Sequence, residues 1–207
     1  MGPAWCWCFP EVMALSIFLP PDELFERVEG VPMTKEEVRA IALAKLELRP
    51  GLRMLDVGCG TGSVAISAAL SVPGLEVVAL DRDERALDLA RENAARLRAS
   101  GVRFVLGEAP VEPFHLGPFD RVFLGGAGGR VPEVLGWCAG LCGEGALLVA
   151  DFVALESLSS ALDFLSGPCP WEVEEVLQVS ILRGRSLGRY TVLGPGGAVF
   201  VVKARRR

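Results

Sequence analysis

The sequence predicts a single α/β domain built on a mainly parallel sheet with helices on both faces. Three observations predict it. Short β-rich runs alternate with helical stretches through most of the chain, the first of these runs ends in the glycine-rich turn MLDVGCGTGSVAI, and the last part changes to two long strand-like runs with no helix between them. With 207 residues the chain is long enough to bury one sizeable core and short for two.

Residues 1–20, MGPAWCWCFPEVMALSIFLP, resemble a signal peptide only briefly, because they lack a positive n-region and are broken by Pro10 and Glu11. They read as an extension outside the fold, which a misassigned start codon explains equally well, and the domain takes residues 21–207. Thr34 and Glu37 then form a T-x-x-E capping box. Val38, Ile41, Ala42 and Leu46 follow at helical spacing, which predicts a helix over 34–48 ended by Arg49-Pro50-Gly51. Strands are expected at 53–57, 76–80, 103–106, 120–124 and 146–152, with helices at 62–71, 83–99, 131–141 and 154–166. That alternation requires parallel pairing through right-handed crossovers. Beyond Pro170, WEVEEVLQVSILRG and RYTVLGPGGAVFVVKA have no helix between them and must pair antiparallel at or near a sheet edge, bringing the sheet to seven strands.

Composition narrows the function. Apolar residues make up 51% of the chain and mean hydropathy is +0.38, yet no stretch of about 18 uninterrupted apolar residues occurs, so a membrane span is not expected. The formal charge of -5 argues against a general nucleic-acid binder, which normally carries a basic face. Cysteines 6, 8, 59, 138, 142 and 169 lack zinc-type spacing, and His115 is the one histidine. They read as free thiols of a reducing cytoplasm, with no metal site expected even at Cys138 and Cys142, four apart near the end of a helix.

The glycine turn is the strongest chemical signal. A P-loop is excluded, since no Lys-Ser or Lys-Thr follows the glycines. The dinucleotide fingerprint is satisfied formally by Gly60-Thr61-Gly62-Ser63-Val64-Ala65, with Asp81 near the position of a ribose-binding acid. Two features weigh against it. Asp56 places a carboxylate at the strand end, where it would repel a pyrophosphate and suits an ammonium-bearing ligand. A dehydrogenase also needs an acid or base near the hydride acceptor, and this chain has one His, one Tyr and no second domain to supply it.

The pattern running from Met54 through Asp56, Gly58, Gly60 and Gly62 resembles the first motif of class I S-adenosylmethionine-dependent methyltransferases. The resemblance implies a Rossmann-like fold and S-adenosylmethionine as cofactor. It assigns the turn Asp56, Gly58, Cys59, Gly60, Thr61 and Gly62 to the methionine and ribose, Asp81 to both ribose hydroxyls, and Glu108 with Ala109 to the adenine. A plain tight turn, a helix N-cap at Asp81 and a solvated Glu108 are the alternative readings. After the fourth strand, VFLGGAGG has none of the polar-Pro-Pro-aromatic sequence common in enzymes that methylate base amines. Gly125 and Gly126 bring bare backbone toward the cofactor instead.

Three stretches carry a closer resemblance. GVPMTKEEVRAIALAKLELRPG, FLGGAGG and LQVSILRGRSLGRYTVLGPGGAVFVV are similar to the decarboxylating precorrin carbon-15 methyltransferases of corrin (vitamin B12) biosynthesis, over roughly Pro21 to Lys203. This implies a tetrapyrrole substrate, cobalt-precorrin-6B or precorrin-6B, methylated at carbon 15 with loss of carbon dioxide from the carbon-12 acetate. It also implies a homotetramer and a separate carbon-5 methyltransferase partner, and it lays Thr34 against the cofactor. Lys35, Arg39, Arg183, Arg185 and Arg189 would meet the carboxylates of such a substrate, a solvated helix face and a solvated turn being the alternatives. An enamine-like ring carbon is already nucleophilic, so no catalytic acid or base is identified, and the reacting acetate is expected in an apolar place away from the arginines. A methyltransferase of tRNA or protein, or a catalytically silent cofactor-binding subunit, are the rival functions.

Overall fold

The computed structural model describes residues 18–111, 117–194 and 196–207. Cys6, Cys8, His115 and most of the expected N-terminal extension lie outside the described residues.

The first half winds in one direction. Strand β1 (Arg53–Val57) is followed by helix α2 (Ser63–Ser71), β2 (Glu76–Asp81), α3 (Glu84–Arg96) and β3 (Val102–Leu106). The chain then returns to the other side of β1 with β4 (Phe119–Leu124), α4 (Val131–Gly140), β5 (Cys142–Phe152) and α5 (Leu155–Ser166). A short 3-10 turn (Asp22–Leu24) and helix α1 (Glu36–Leu46) precede them. The elements after α5 are β6 (Trp171–Ser180), β7 (Gly184–Leu187), β8 (Tyr190–Leu193) and β9 (Ala198–Arg206). One seven-stranded sheet runs β3-β2-β1-β4-β5-β9-β6, parallel except for β9, which pairs antiparallel with β5 and β6.

The strands alternate their side chains between two cores. On one face Met54, Val77, Ala79, Phe123, Val149 and Val201 pack beneath α1 and α2. On the other, Leu55, Val78, Val122, Leu148 and Val202 pack against α4 and α5. Each of the larger of these side chains contributes roughly 1.5–3 kcal/mol by leaving water. Trp171 anchors the second core at the start of β6, buried, with its indole N–H donating to the Leu135 carbonyl at 2.9 Å.

Four expectations change. The capping box does not form: Lys35 occupies the N-cap of α1, no side chain caps it, and Glu37 instead accepts from Arg183 at 2.6 and 2.8 Å. The helix ends at Leu46, with Glu47 in the left-handed conformation (φ 50°), two residues before the expected end. The second long β run divides: Tyr190–Leu193 pairs with Gly184–Leu187 in a separate hairpin, and only Ala198–Arg206 enters the sheet. Between them Gly196 passes so close to the Ile181 carbonyl that a side chain has no room there. Cys142 opens β5 instead of lying on a helix with Cys138.

The segment before α1 is tied down by buried polar groups. Arg39 is fully buried, donates to Asp22 Oδ1 at 3.0 Å, to the Thr34 carbonyl at 2.8 Å and to the Pro20 carbonyl, and lies over the Phe25 ring. Asn93 of α3, also fully buried, accepts from the Glu26 N–H at 2.7 Å and donates to the Glu26 and Thr61 carbonyls. Leu19 packs on the first core and Pro20 is buried, so the packed chain reaches back at least to residue 19.

Candidate active site

Winding reverses between β1 and β4, and a crevice opens outside the carboxyl ends of those strands. Gly58, the first residue after β1, has φ +72°, and a Cβ there would lie 2.8 Å from the Gly126 carbonyl oxygen. Gly60, at φ +53°, presses in the same way on the Pro32 carbonyl. Only glycine permits both the conformation and the approach. The Gly125 and Gly126 N–H groups share the Val57 carbonyl at 3.0 and 3.2 Å, which fixes the second turn against the first.

The crevice holds a polar cavity of about 290 Å³ whose lining includes Pro32, Gly58, Gly60, Asp81, Arg82, Asp83, Glu108, Ala109 and Gly125–Gly128. Asp81 stands at the end of β2, its Oδ2 accepting from the Gly60 N–H at 2.8 Å and its Oδ1 from the Asp83 N–H at 3.0 Å. It therefore pins the glycine turn and keeps lone pairs for hydroxyl donors. The N-cap of α3 is Asp83, which accepts from the Arg85 N–H at 2.9 Å. Glu108 forms an exposed ion pair with Arg82 at 2.9 Å across the outer rim.

Four residues named from the glycine turn and the entry helix are placed elsewhere. Asp56 is completely buried on the α2 side of the sheet, lies outside the lining of this cavity and of the apolar one beside it, and accepts from the Ala65 N–H at 3.0 Å. Burial raises its carboxyl to about 8, with the neighbouring Asp151 and Asp81 charges adding to the effect and the Ala65 bond opposing it. A largely neutral, enclosed group cannot attract a ligand's ammonium. By occupying the first turn of α2, however, it takes an N–H that a pyrophosphate would use. Thr61 is buried, with its N–H on the Pro32 carbonyl and its hydroxyl unpartnered, and Gly62 is the N-cap of α2. Arg39 is the internal cation held by Asp22 and lines neither of these two cavities.

Beside the polar cavity lies an apolar one of about 460 Å³, and Pro32, Gly58 and Gly125–Gly128 belong to both walls. Thr34, Lys35, Val38 and Cys59 line one side of it, and Leu124, Val131, Phe152, Val153, Ile181 and Val199 much of the rest. Burial pushes the Cys59 thiol far up, so it is a neutral wall group. Arg183, Arg185 and Arg189 line neither cavity. Arg183 is held by Glu37, whose carboxyl that bond lowers, while Arg185 is exposed and Arg189 lies over its neighbour Tyr190.

One further carboxylate belongs to the apolar cavity. Asp151, at the end of β5, lines it, and its Oδ1 is enclosed with no hydrogen-bond partner. Burial raises this carboxyl to about 7. The signal for it was present as a single acid inside the apolar run ALLVADFVA, at the strand end where such sheets place their sites.

Residues 23–206 match the precorrin methyltransferase domain family. The chain belongs to that family. As a precorrin methyltransferase domain it is 43% identical over 187 residues to the cobalt-precorrin-6B C(15)-methyltransferase (decarboxylating) of Salmonella typhimurium, covering 89% of this chain and 95% of that one. Its fold is similar to the crystal structure of precorrin-6y C5,15-methyltransferase from Geobacter metallireducens, with TM-score 0.83, 31% identity and coverage of 90% and 97% of the two chains. It is also similar to precorrin 8W decarboxylase of Methanobacterium thermoautotrophicum, with TM-score 0.82, 28% identity and coverage of 89% and 98%. The family carries a class I methyltransferase fold, as the strand order here shows.

Proposed function

We propose that this enzyme transfers a methyl group from S-adenosylmethionine to carbon 15 of cobalt-precorrin-6B or precorrin-6B and removes carbon dioxide from the carbon-12 acetate. The observation that carries the proposal is the pair of cavities meeting at Gly125–Gly128, one polar and edged by carboxylates, the other apolar. The residues present fit the cofactor. Asp81 offers acceptors to a ribose diol, the close approach of Gly58 and Gly126 leaves bare backbone beside the turn, and Asp81 and Asp83, with Glu108 balanced by Arg82, favour a sulfonium over a diphosphate. Bound there, the cofactor supplies an electrophilic methyl group.

The chain's part is mainly alignment. Asp81, Gly58, Gly60 and the Glu108–Ala109 segment hold the nucleoside, and Gly125–Gly128, whose one side chain is the methyl group of Ala127, form a thin wall between donor and acceptor. A cavity of 460 Å³ accepts one edge of a macrocycle, leaving the remaining rings outside. Holding the two reactants in line provides roughly 7–11 kcal/mol of the barrier. The apolar lining excludes water, and Lys35 is the single basic side chain among the described lining residues. An acetate directed inward thus loses hydration without gaining an arginine, which favours its decarboxylation. Arg185 and Arg189, displayed on the hairpin, meet carboxylates that stay outside.

That hairpin also supports assembly as a homotetramer. Two paired strands alone are marginally stable, yet Leu182, Leu187, Tyr190 and Leu193 are 53–67% exposed on and beside it. The described cysteines are free, in keeping with a cytoplasmic enzyme that works beside a separate carbon-5 methyltransferase. Among the described residues no helix is long and apolar enough to cross a membrane.

Calorimetry tests the cofactor assignment. S-adenosylhomocysteine is expected to bind, NAD to give no heat, and Asp81→Asn to weaken the nucleoside about tenfold to a hundredfold through lost charge-assisted bonds. NAD binding without S-adenosylhomocysteine binding would overturn it.

A further inference from the structure

We infer that Asp151 is a catalytic acid of this enzyme, delivering the proton that completes decarboxylation to the side-chain carbon inside the apolar cavity. The inference rests on the functional reading above and adds a residue to it.

Geometry carries it. Asp151 is the next-to-last residue of β5, two residues beyond Val149, on the sheet face covered by α1. It lines the apolar cavity whose wall Gly125–Gly128 is shared with the nucleoside cavity, so it stands on the acceptor side of the methyl donor. Its Oδ1 is enclosed and unpartnered, and no described cation pairs with the carboxyl. A carboxylate with no cation and no complete hydrogen-bond set is costly in an apolar wall, whereas a neutral carboxylic acid is tolerated there. The charged and titratable groups around it are Lys35 at the start of α1, Cys59 in the glycine turn and Asp56 on β1, the last two held largely neutral by burial. Burial accordingly holds the Asp151 carboxyl near neutrality, raised to about 7.

The reaction requires such a group. Methyl transfer to a neutral ring carbon leaves the conjugated system cationic. The bond between the acetate methylene and its carboxyl carbon then breaks, the electron pair enters that cationic system, and carbon dioxide departs. The methylene carbon takes the Asp151 proton and becomes a methyl group. The newly methylated carbon loses its hydrogen as a proton, which restores the Asp151 carboxyl. One proton is given and one is recovered, so no outside reductant or metal enters.

The test compares the full chain with its Asp151→Asn and Asp151→Glu variants, supplied with S-adenosylmethionine and the tetrapyrrole. Asn replaces a neutral group of equal size, and S-adenosylhomocysteine binding by calorimetry checks that each variant is folded. Two products are counted in a single turnover by enzyme already exchanged into heavy water: S-adenosylhomocysteine, and the new methyl group on carbon 12, read by NMR as carrying one solvent deuterium. The wild type is expected to form them one to one. In Asp151→Asn the ratio of new methyl to S-adenosylhomocysteine should fall at least tenfold, and Asp151→Glu should restore part of it. An unchanged ratio in Asp151→Asn overturns the role of Asp151 alone. A wild-type enzyme that releases no S-adenosylhomocysteine with the tetrapyrrole overturns the functional reading and this inference together.

Discussion

Asp56, next to last in β1, and Asp81, last in β2, both stand beside the glycine turn, yet they do opposite things. Asp81 reaches into the crevice, while Asp56 turns beneath α2 and is enclosed. In a strand buried on both faces, apolar neighbours surround every position, so the sequence marks an acid as unusual without showing which way it points. Asp151 escaped notice for the same reason. Arg39 shows the converse: a helical basic residue one turn from Lys35 reads as solvated or ligand-facing, and only the folded chain reveals Asp22 and Phe25 around it. The burial of Asp56 has a measurable sign. Between the ordinary carboxylate value of 3.8 and about 8 the folded chain keeps a proton that the unfolded chain has released. The folded state therefore binds more protons there, and its contribution to stability falls as pH rises through that window, by up to about 1.4 kcal/mol per pH unit. Denaturant unfolding followed from about pH 5 to about pH 8 should show that decline reduced in Asp56→Asn, with the variant gaining on the wild type as pH rises. Parallel curves for the two proteins would refute the assignment.

At the scale of elements, the alternating pattern located the five parallel strands to within a few residues, because helices and strands of this kind declare themselves by periodicity. The last hairpin was less legible. LGPGGA inside the final run is a breaker sequence, and the chain uses it to leave one pair of strands and enter the sheet. Its consequence is functional, since β7 and β8 are lifted away with Arg185 and Arg189, while Arg183 stays bound to Glu37 at the base. Replacing Arg185 and Arg189 together with Gln is expected to raise the tetrapyrrole KM about tenfold, a loss of about 1.4 kcal/mol, with S-adenosylhomocysteine affinity unchanged. Equal loss of both would show that the hairpin supports the fold and not the substrate.

At the scale of the molecule, two winding units and an N-terminal strap converge on one crevice. Pro32, at the end of the strap, accepts from the Thr61 N–H and forms part of both cavity walls, and Arg39 and Asn93 hold that strap in place from below. None of this long-range closure is local in the sequence, which is why the motif was readable and the second cavity was not. Assembly belongs to the same scale. Light scattering should find a tetramer in the wild type and smaller species after Leu187→Glu with Tyr190→Glu, whose apolar side chains the hairpin exposes. A wild-type monomer would remove the hairpin's supporting role. The central claim, that donor and acceptor meet across Gly125–Gly128, is tested most directly by mass spectrometry of a single turnover with S-adenosylmethionine and cobalt-precorrin-6B. The product is expected to have gained one methyl group and lost one carbon dioxide, and recovery of the tetrapyrrole with its mass unchanged would contradict the account.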